Sequence, residues 1–211
     1  MQNNIPKILQ EIAQFLKEEE KIQLSKRFAD GRTNSSENQD EIVRKLVGKF
    51  DIITAKSRYW YDFAIEEKKK FFPVNIKVTN TVSADNLNCK EGIYYALTGL
   101  LPDFSSGIGY YKFLQKLKEN FGTSKDNDYY FLVINKKDTS DIFVNSLKQL
   151  PKIQANGNNL PFQCKWNDNR LPVDRTFEQS AEYILKTFGK SVDLRSRVYF
   201  EFKEIFPEYY V

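Results

Sequence analysis

Histidine is absent from this chain. That excludes Ser-His-Asp and Cys-His nucleophilic sites, histidine-ligated zinc, and every nuclease that uses histidine as its base. Cysteine is scarce: Cys89 and Cys164 are the only two. They form neither a disulfide framework nor a metal-ligand spacing, so they read as packing residues of a protein from a reducing cytoplasm. No segment approaches the ~18–20 consecutive apolar residues of a membrane span. The opening stretch "MQNNIPKILQEIAQFLKEEE" lacks a secretory signal's basic start and apolar centre. No internal repeat or low-complexity tract is present. Any chemistry must run on carboxylates, lysine, tyrosine, hydroxyls, or a metal held by oxygen ligands.

The content is that of a globular protein, with 41% hydrophobic and 15% aromatic residues over 211 positions. That length suits one domain, 1–211, with a sizeable core. The formal net charge is +4. Between Lys148 and Lys203 there are ten Lys and Arg against six Asp and Glu, and the difference equals the whole excess. A basic C-terminal third fits a polyanionic partner, although a solvated surface accounts for it equally well.

Apolar spacing predicts a helix over 5–28, through Ile5, Ile8, Leu9, Ile12, Phe15, Leu16 and Ile22. After "DGRTNSSENQ", Ser36 and Gln39 offer a capping box for a second helix through Ile42, Val43, Leu46, Val47 and Phe50. Strands are expected at about 51–58, 59–66 and 71–79. Helices are expected in "NLNCKEGIYYALTG" and "GIGYYKFLQKLKENF", and a strand in "DYYFLVINK". A short helix around Ile142 to Leu150, a strand "FQCKWN", and a helix from Phe177 to Gly189 with an aromatic tail complete the reading. The order predicts an α/β (α+β) fold with a central mixed sheet flanked by helices.

The stretch "FFPVNIKVTNT" places Lys77 inside an otherwise apolar strand. Alternation turns Val74, Ile76 and Val78 one way and Asn75, Lys77 and Thr79 the other. In "YWYDFAIEE", Trp60, Asp62, Ala64 and Glu66 share one face. If the two strands form a hairpin, Asp62 stands beside Asn75 and Lys77. A carboxylate and an amide oxygen suit a hard cation such as Mg²⁺, which activates water and offsets phosphate charge. The lysine can orient that water or pair with the phosphate. The competing reading is an edge-strand lysine that opposes aggregation.

"YDFAIEEKKKFFPVNIKV" resembles the PD-(D/E)XK motif of type II restriction endonucleases. Asp62 matches the first aspartate, and Asn75-Ile76-Lys77 matches the (D/E)XK triplet, with Asn in place of the second carboxylate and Tyr61 in place of the proline. The order helix, hairpin, "IKVTNT", helix, strand over 36–136 resembles the family's core. The resemblance implies a restriction-endonuclease-like core at 36–136, an N-terminal helical segment at 1–35 and a C-terminal recognition or packing subdomain at 137–211. It implies Mg²⁺-dependent, sequence-specific hydrolysis of double-stranded DNA. Asp62, Asn75, the Ile76 backbone carbonyl and Glu41 would hold the metal; Asp62, Asn75, Lys77 and Glu41 would be catalytic. It further implies a homodimer, a bacterial cytoplasm and a companion methyltransferase. Alternatives are a nuclease-fold protein that binds DNA without cutting it, and a structure-specific repair nuclease or junction resolvase. For Glu37 and Glu41, favourable placement near a helix N-terminus is a competing reading.

Candidates for DNA contact are Arg32, Gln154, Asn156, Asn158, Asn159, Gln163, Lys165, Asn167, Asn169 and Arg170, since these side-chain types read base edges or pair with phosphates. "EGIYYALTG" is not a GIY-YIG motif, because Gly92-Ile93-Tyr94 falls in an expected helix. "SSGIGYY" lacks the Gly-Lys-Ser/Thr of a phosphate loop.

Overall fold

A computed structural model describes residues 5–18, 31–56 and 59–210; the side chains of 31–36 also lie outside the described residues. A five-stranded mixed sheet carries the architecture, in the order β1(Ile53–Thr54), β2(Phe63–Glu67), β3(Lys70–Thr79), β5(Tyr130–Asn135), β6(Asp138–Ser146). β2 and β3 form the expected hairpin, with Phe63 opposite Val74. β3 and β5 run parallel, and β6 turns back on β5. A smaller sheet joins β4(Ala84–Asn86), β8(Gln163–Lys165) and β7(Ile153–Gln154).

Alternation along β3 sorts two cores. Val74 and Ile76 join Phe63, Ile65, Leu132 and Ile134 under α1(Lys7–Glu18) and α2(Gly31–Leu46). α1 packs because Leu9, Ile12, Ala13 and Leu16 recur at helical spacing on one face. The opposite sheet face, with Ala64, Phe131 and Val133, packs against α3(Lys90–Thr98), α4(Tyr110–Asn120) and the first half of α5(Phe177–Ile205). The mixed sheet flanked by helices is therefore present as expected. None of the described helices is long and apolar enough to cross a membrane.

Several element boundaries differ from expectation. α1 is described as far as Glu18, and the remainder of the expected 5–28 helix lies outside the described residues. α2 is already helical at Gly31, the first described residue of that stretch, which puts Ser36 inside the helix, so no capping box forms there. The strand expected at 51–58 is reduced to Ile53–Thr54, and β2 begins at Phe63, with Trp60 and Tyr61 packed in the core before it. The helix expected near Ile142 is the strand β6 followed by a 3₁₀ turn, Leu147–Gln149. Pairing with β5 outweighs the local pattern there. α5 runs to Ile205, passing through Gly189 without breaking.

Candidate active site

β2 stops one residue short of the point where its partner continues. Asp62 N–H donates to the Val74 carbonyl (2.8 Å), and beyond it the outer edge of β3 has no strand beside it among the described residues. Side chains take the place of the missing strand. Ile76 N–H donates to Asp62 Oδ2 (2.5 Å), and the Ile76 carbonyl accepts from Gln39 Nε2 of α2 (2.9 Å). Asn75 Nδ2 also donates to Asp62 Oδ2 (3.1 Å). Asp62 and Asn75 are thus side by side on one face of the sheet, as the hairpin pairing requires.

Lys77 is two residues further along that face and is held from the other side. Its Nζ lies 3.9 Å from Asp85 Oδ2 and 3.4 Å from the Asn86 carbonyl. Asp85 is itself fixed by the indole N–H of Trp166 (2.8 Å). Asn75 and Lys77 line a cleft of about 310 Å³ with Asn86, Asn88, Glu91 and Tyr129. The cleft wall is aromatic: Tyr129 O–H donates to the Trp60 carbonyl (2.5 Å), and the two rings stack at 5.9 Å.

Burial dominates the electrostatics. It pushes the Asp62 carboxyl up to about 6, against the Ile76 N–H and the Lys77 charge, which pull it down, while Asp40 adds to the rise. Burial likewise raises Glu91 above the usual carboxylate range. The Cys89 thiol is pushed by burial up to about 11 and stays protonated; it caps α3 by accepting from Gly92 N–H (3.1 Å). Cys89 is therefore a helix cap on the cleft wall, whereas Cys164 is core packing.

Among the residues proposed from sequence, Asp62, Asn75, Ile76 and Lys77 come together. Glu41 does not join them. The α2 residue that reaches the sheet edge is Gln39, and it lies across the buried stripe of Asn38, Ile42 and Leu46 from Glu41. Arg32 falls in α2, and its side chain lies outside the described residues. Asn158 and Asn159 line a second depression with Lys90 and Arg195, which shares Asn88 and Ser106 with the cleft. Lys165 and Asn167 are exposed, and Gln154 is half-buried.

Other polar candidates have internal work. Asn156 organises its loop, donating to Asn86 Oδ1 and Gln163 Oε1 (both 2.9 Å) and accepting from Asn158 and Asn159 N–H. Arg170 forks onto Asp141 (2.6 and 2.7 Å) and lies over the Phe143 ring. Asn169 is fully buried, donating to the Lys152 and Lys165 carbonyls. Sequence reasoning missed Gln39, Asp85 and Glu91. Gln39 comes from a helix far from "NIK" in the chain, and Asp85 from the short strand after β3. Only Glu91 carried a signal, an acidic residue opening a helix.

Asp62 keeps Oδ1, and Asn75 keeps its amide oxygen. One carboxylate and one neutral oxygen suit Mg²⁺, which retains several waters and commonly shares its shell with substrate phosphate. No three His, Cys, Asp or Glu side chains among the described residues form a metal-holding group. Two oxygen donors of this kind fit a cation that completes its shell with water and phosphate oxygens. The Ile76 carbonyl has one lone pair committed to Gln39.

Comparison with known proteins assigns no family: no family model matches the chain, and no curated protein does.

Proposed function

We propose that the protein is a Mg²⁺-dependent endonuclease that cleaves phosphodiester bonds in double-stranded DNA, in the manner of type II restriction enzymes acting in a bacterial cytoplasm. The observation that carries this reading is the contact of Asp62 with Asn75 at the open edge of β3, where Asn75 and Lys77 line one cleft. The mixed sheet with a β2–β3 hairpin and a flanking helix agrees with the PD-(D/E)XK resemblance.

Asp62 and Asn75 are the residues that would hold the cation. When bound, it would supply charge neutralisation at the phosphate and a lowered water pKa. Asn75 orients the Asp62 carboxylate through its amide N–H, and Ile76 N–H favours the ionised form needed for binding. Asp85 and the Asn86 carbonyl hold the Lys77 ammonium at the cleft, where it can pair with a phosphate oxygen or orient water. The aromatic wall limits solvent on the far side. Asn158, Asn159 and Lys90 in the adjoining depression would follow the DNA beyond the scissile bond.

Plasmid DNA is digested with Mg²⁺ or EDTA by wild type and by Lys77→Ala. Discrete Mg²⁺-dependent fragments from wild type alone are expected, and sequencing their ends would give the recognition site. Structure-specific nicking would instead indicate a repair nuclease or resolvase. One observation favours DNA binding without cleavage: an amide rather than a second carboxylate faces Asp62. Intact DNA at high protein concentration, with retained mobility shift, would establish that reading.

A further inference from the structure

A second cavity, of about 460 Å³, lies where β3 and β5 begin, beside the first residue of α5. It shares no lining residue with the candidate active-site cleft. Two groups on its wall are buried without the partner their chemistry requires. Lys148 is 8% exposed, and its Nζ donates to the Lys125 carbonyl (2.8 Å) and to the Asn127 carbonyl. An ammonium has three N–H groups, so one is unspent. No carboxylate among the described residues forms an ion pair with it. Asp128, on the same wall, accepts instead from the Tyr129 and Lys148 backbone N–H groups (2.8 and 3.3 Å). Burial lowers the Lys148 pKa, and Asp128 opposes that fall only from beyond ion-pair distance. Burial also raises the Asp128 carboxyl, which makes it an incomplete counter-charge. Gln149, likewise 8% exposed, buries its Oε1 with no hydrogen-bond donor. A buried cation short of counter-charge and a buried acceptor without a donor are both costly, and both line one cavity.

The rest of the lining narrows what would satisfy them. Lys70, Lys125, Lys148 and Arg175 stand against Asp126 and Asp128, an excess of two positive charges. Lys125 already pairs with Glu178 (2.6 Å), whereas Lys70 has no ion-pair partner among the described residues. Arg175 is part of the frame. Its guanidinium donates to the Lys148, Leu150 and Pro151 carbonyls (3.3, 2.9 and 3.3 Å) and fixes the segment that carries Gln149. A phosphate monoester carries about −1.5 to −2 at neutral pH, which matches the excess where one carboxylate would not. Its dianionic oxygens only accept, so the donor for Gln149 Oε1 must belong to the organic part of the ligand. The volume falls within the ~300–1,000 Å³ of small-molecule pockets, which leaves room for such a body beside the phosphate.

We propose that this cavity binds a small phosphate monoester. Its phosphate meets Lys148 and Lys70, and an amino or hydroxyl group of its body donates to Gln149 Oε1. Nucleoside monophosphates and sugar phosphates share that chemistry. The site is separate from the candidate active-site cleft and does not depend on the nuclease reading.

Isothermal titration calorimetry on the full chain in EDTA tests it, with adenosine monophosphate, glucose phosphate and inorganic phosphate as probes. Far-UV circular dichroism confirms that each variant keeps its fold. One of the two esters is expected to bind about tenfold more tightly than inorganic phosphate, and which one does so identifies the source. Gln149→Met keeps the side-chain length and removes the acceptor. It should weaken that ester roughly fivefold and leave inorganic phosphate unchanged. Lys70→Ala, at an exposed position, should weaken ester and inorganic phosphate alike. Lys77→Ala, in the cleft, should change neither. Absence of binding by all three probes at about 1 mM would overturn the proposal. So would an ester whose affinity survives both Lys70→Ala and Gln149→Met, or one whose affinity falls with Lys77→Ala. Inorganic phosphate bound as tightly as either ester would mean an adventitious ion only, and would overturn it as well.

Discussion

Asp62 carries the cost of a buried charge with incomplete compensation. Its carboxyl is raised from 3.8 to about 6, so the folded protein holds the proton more tightly than the unfolded chain does. The associated stability is complete below about pH 4 and is lost as pH rises through about 6, amounting to roughly 3 kcal/mol at most. Asp62→Asn should therefore raise the melting temperature at pH 8 and leave it unchanged near pH 4, as a thermal-melt series across that range would read. Added Mg²⁺ should raise the wild-type midpoint at pH 8 and leave Asp62→Asn where it is, because the variant lacks the charged oxygen donor. Asn75→Asp probes the same geometry from the other side. Without metal it sets two carboxylates against each other where an N–H now donates, and its midpoint at pH 8 should fall below wild type. With Mg²⁺ its gain should exceed that of wild type.

Two close approaches position the cleft at the level of elements. α3 lies against Tyr129 so tightly that a Cβ on Gly92 would sit 2.7 Å from both the Tyr129 ring and Cys89 Sγ. Gly92→Ala should cost roughly 1–3 kcal/mol in urea denaturation, since the neighbours are a ring and a helix cap, each with a hydrogen bond of its own to keep. α2 is tied to β3 through Gln39 and the Ile76 carbonyl. Gln39→Ala should lower stability by about 1 kcal/mol and reduce the proposed DNA cleavage more than Glu41→Ala does, as single-turnover digestion would measure. The difference reflects which flank of α2 meets the sheet edge. Helix periodicity marks the apolar stripe of α2, but its rotation against the sheet is set by packing.

For the whole molecule, the α5 arm from Val192 to Tyr209 is an exposed apolar surface. Phe202→Glu, on that surface, should shift the melting temperature by no more than about 2 °C. Differential scanning calorimetry would read it. The arm also revises the charge balance of the C-terminal third. The basic excess counted from Lys148 to Lys203 is halved once Glu204 and Glu208 are included, and both of these belong to the arm.

Local pattern was enough for the mixed α/β class, the β2–β3 hairpin, and the neighbourhood of Asp62, Asn75 and Lys77. Those features follow from alternation within a few residues, where a period of two decides which side chains share a face. The absence of histidine was equally decisive, since composition needs no fold. That β6 is a strand emerged only in three dimensions, because its pairing partner β5 outweighs local preference. The same holds for Gln39 on Ile76, Asp85 beside Lys77 and Glu91 in the cleft, contacts between segments whose relative placement no local period encodes. Asn156, Asn169 and Arg170 serve the interior of their loops for a related reason. Polar residues that read as available in a sequence are claimed by whichever buried carbonyl or carboxylate the fold brings near.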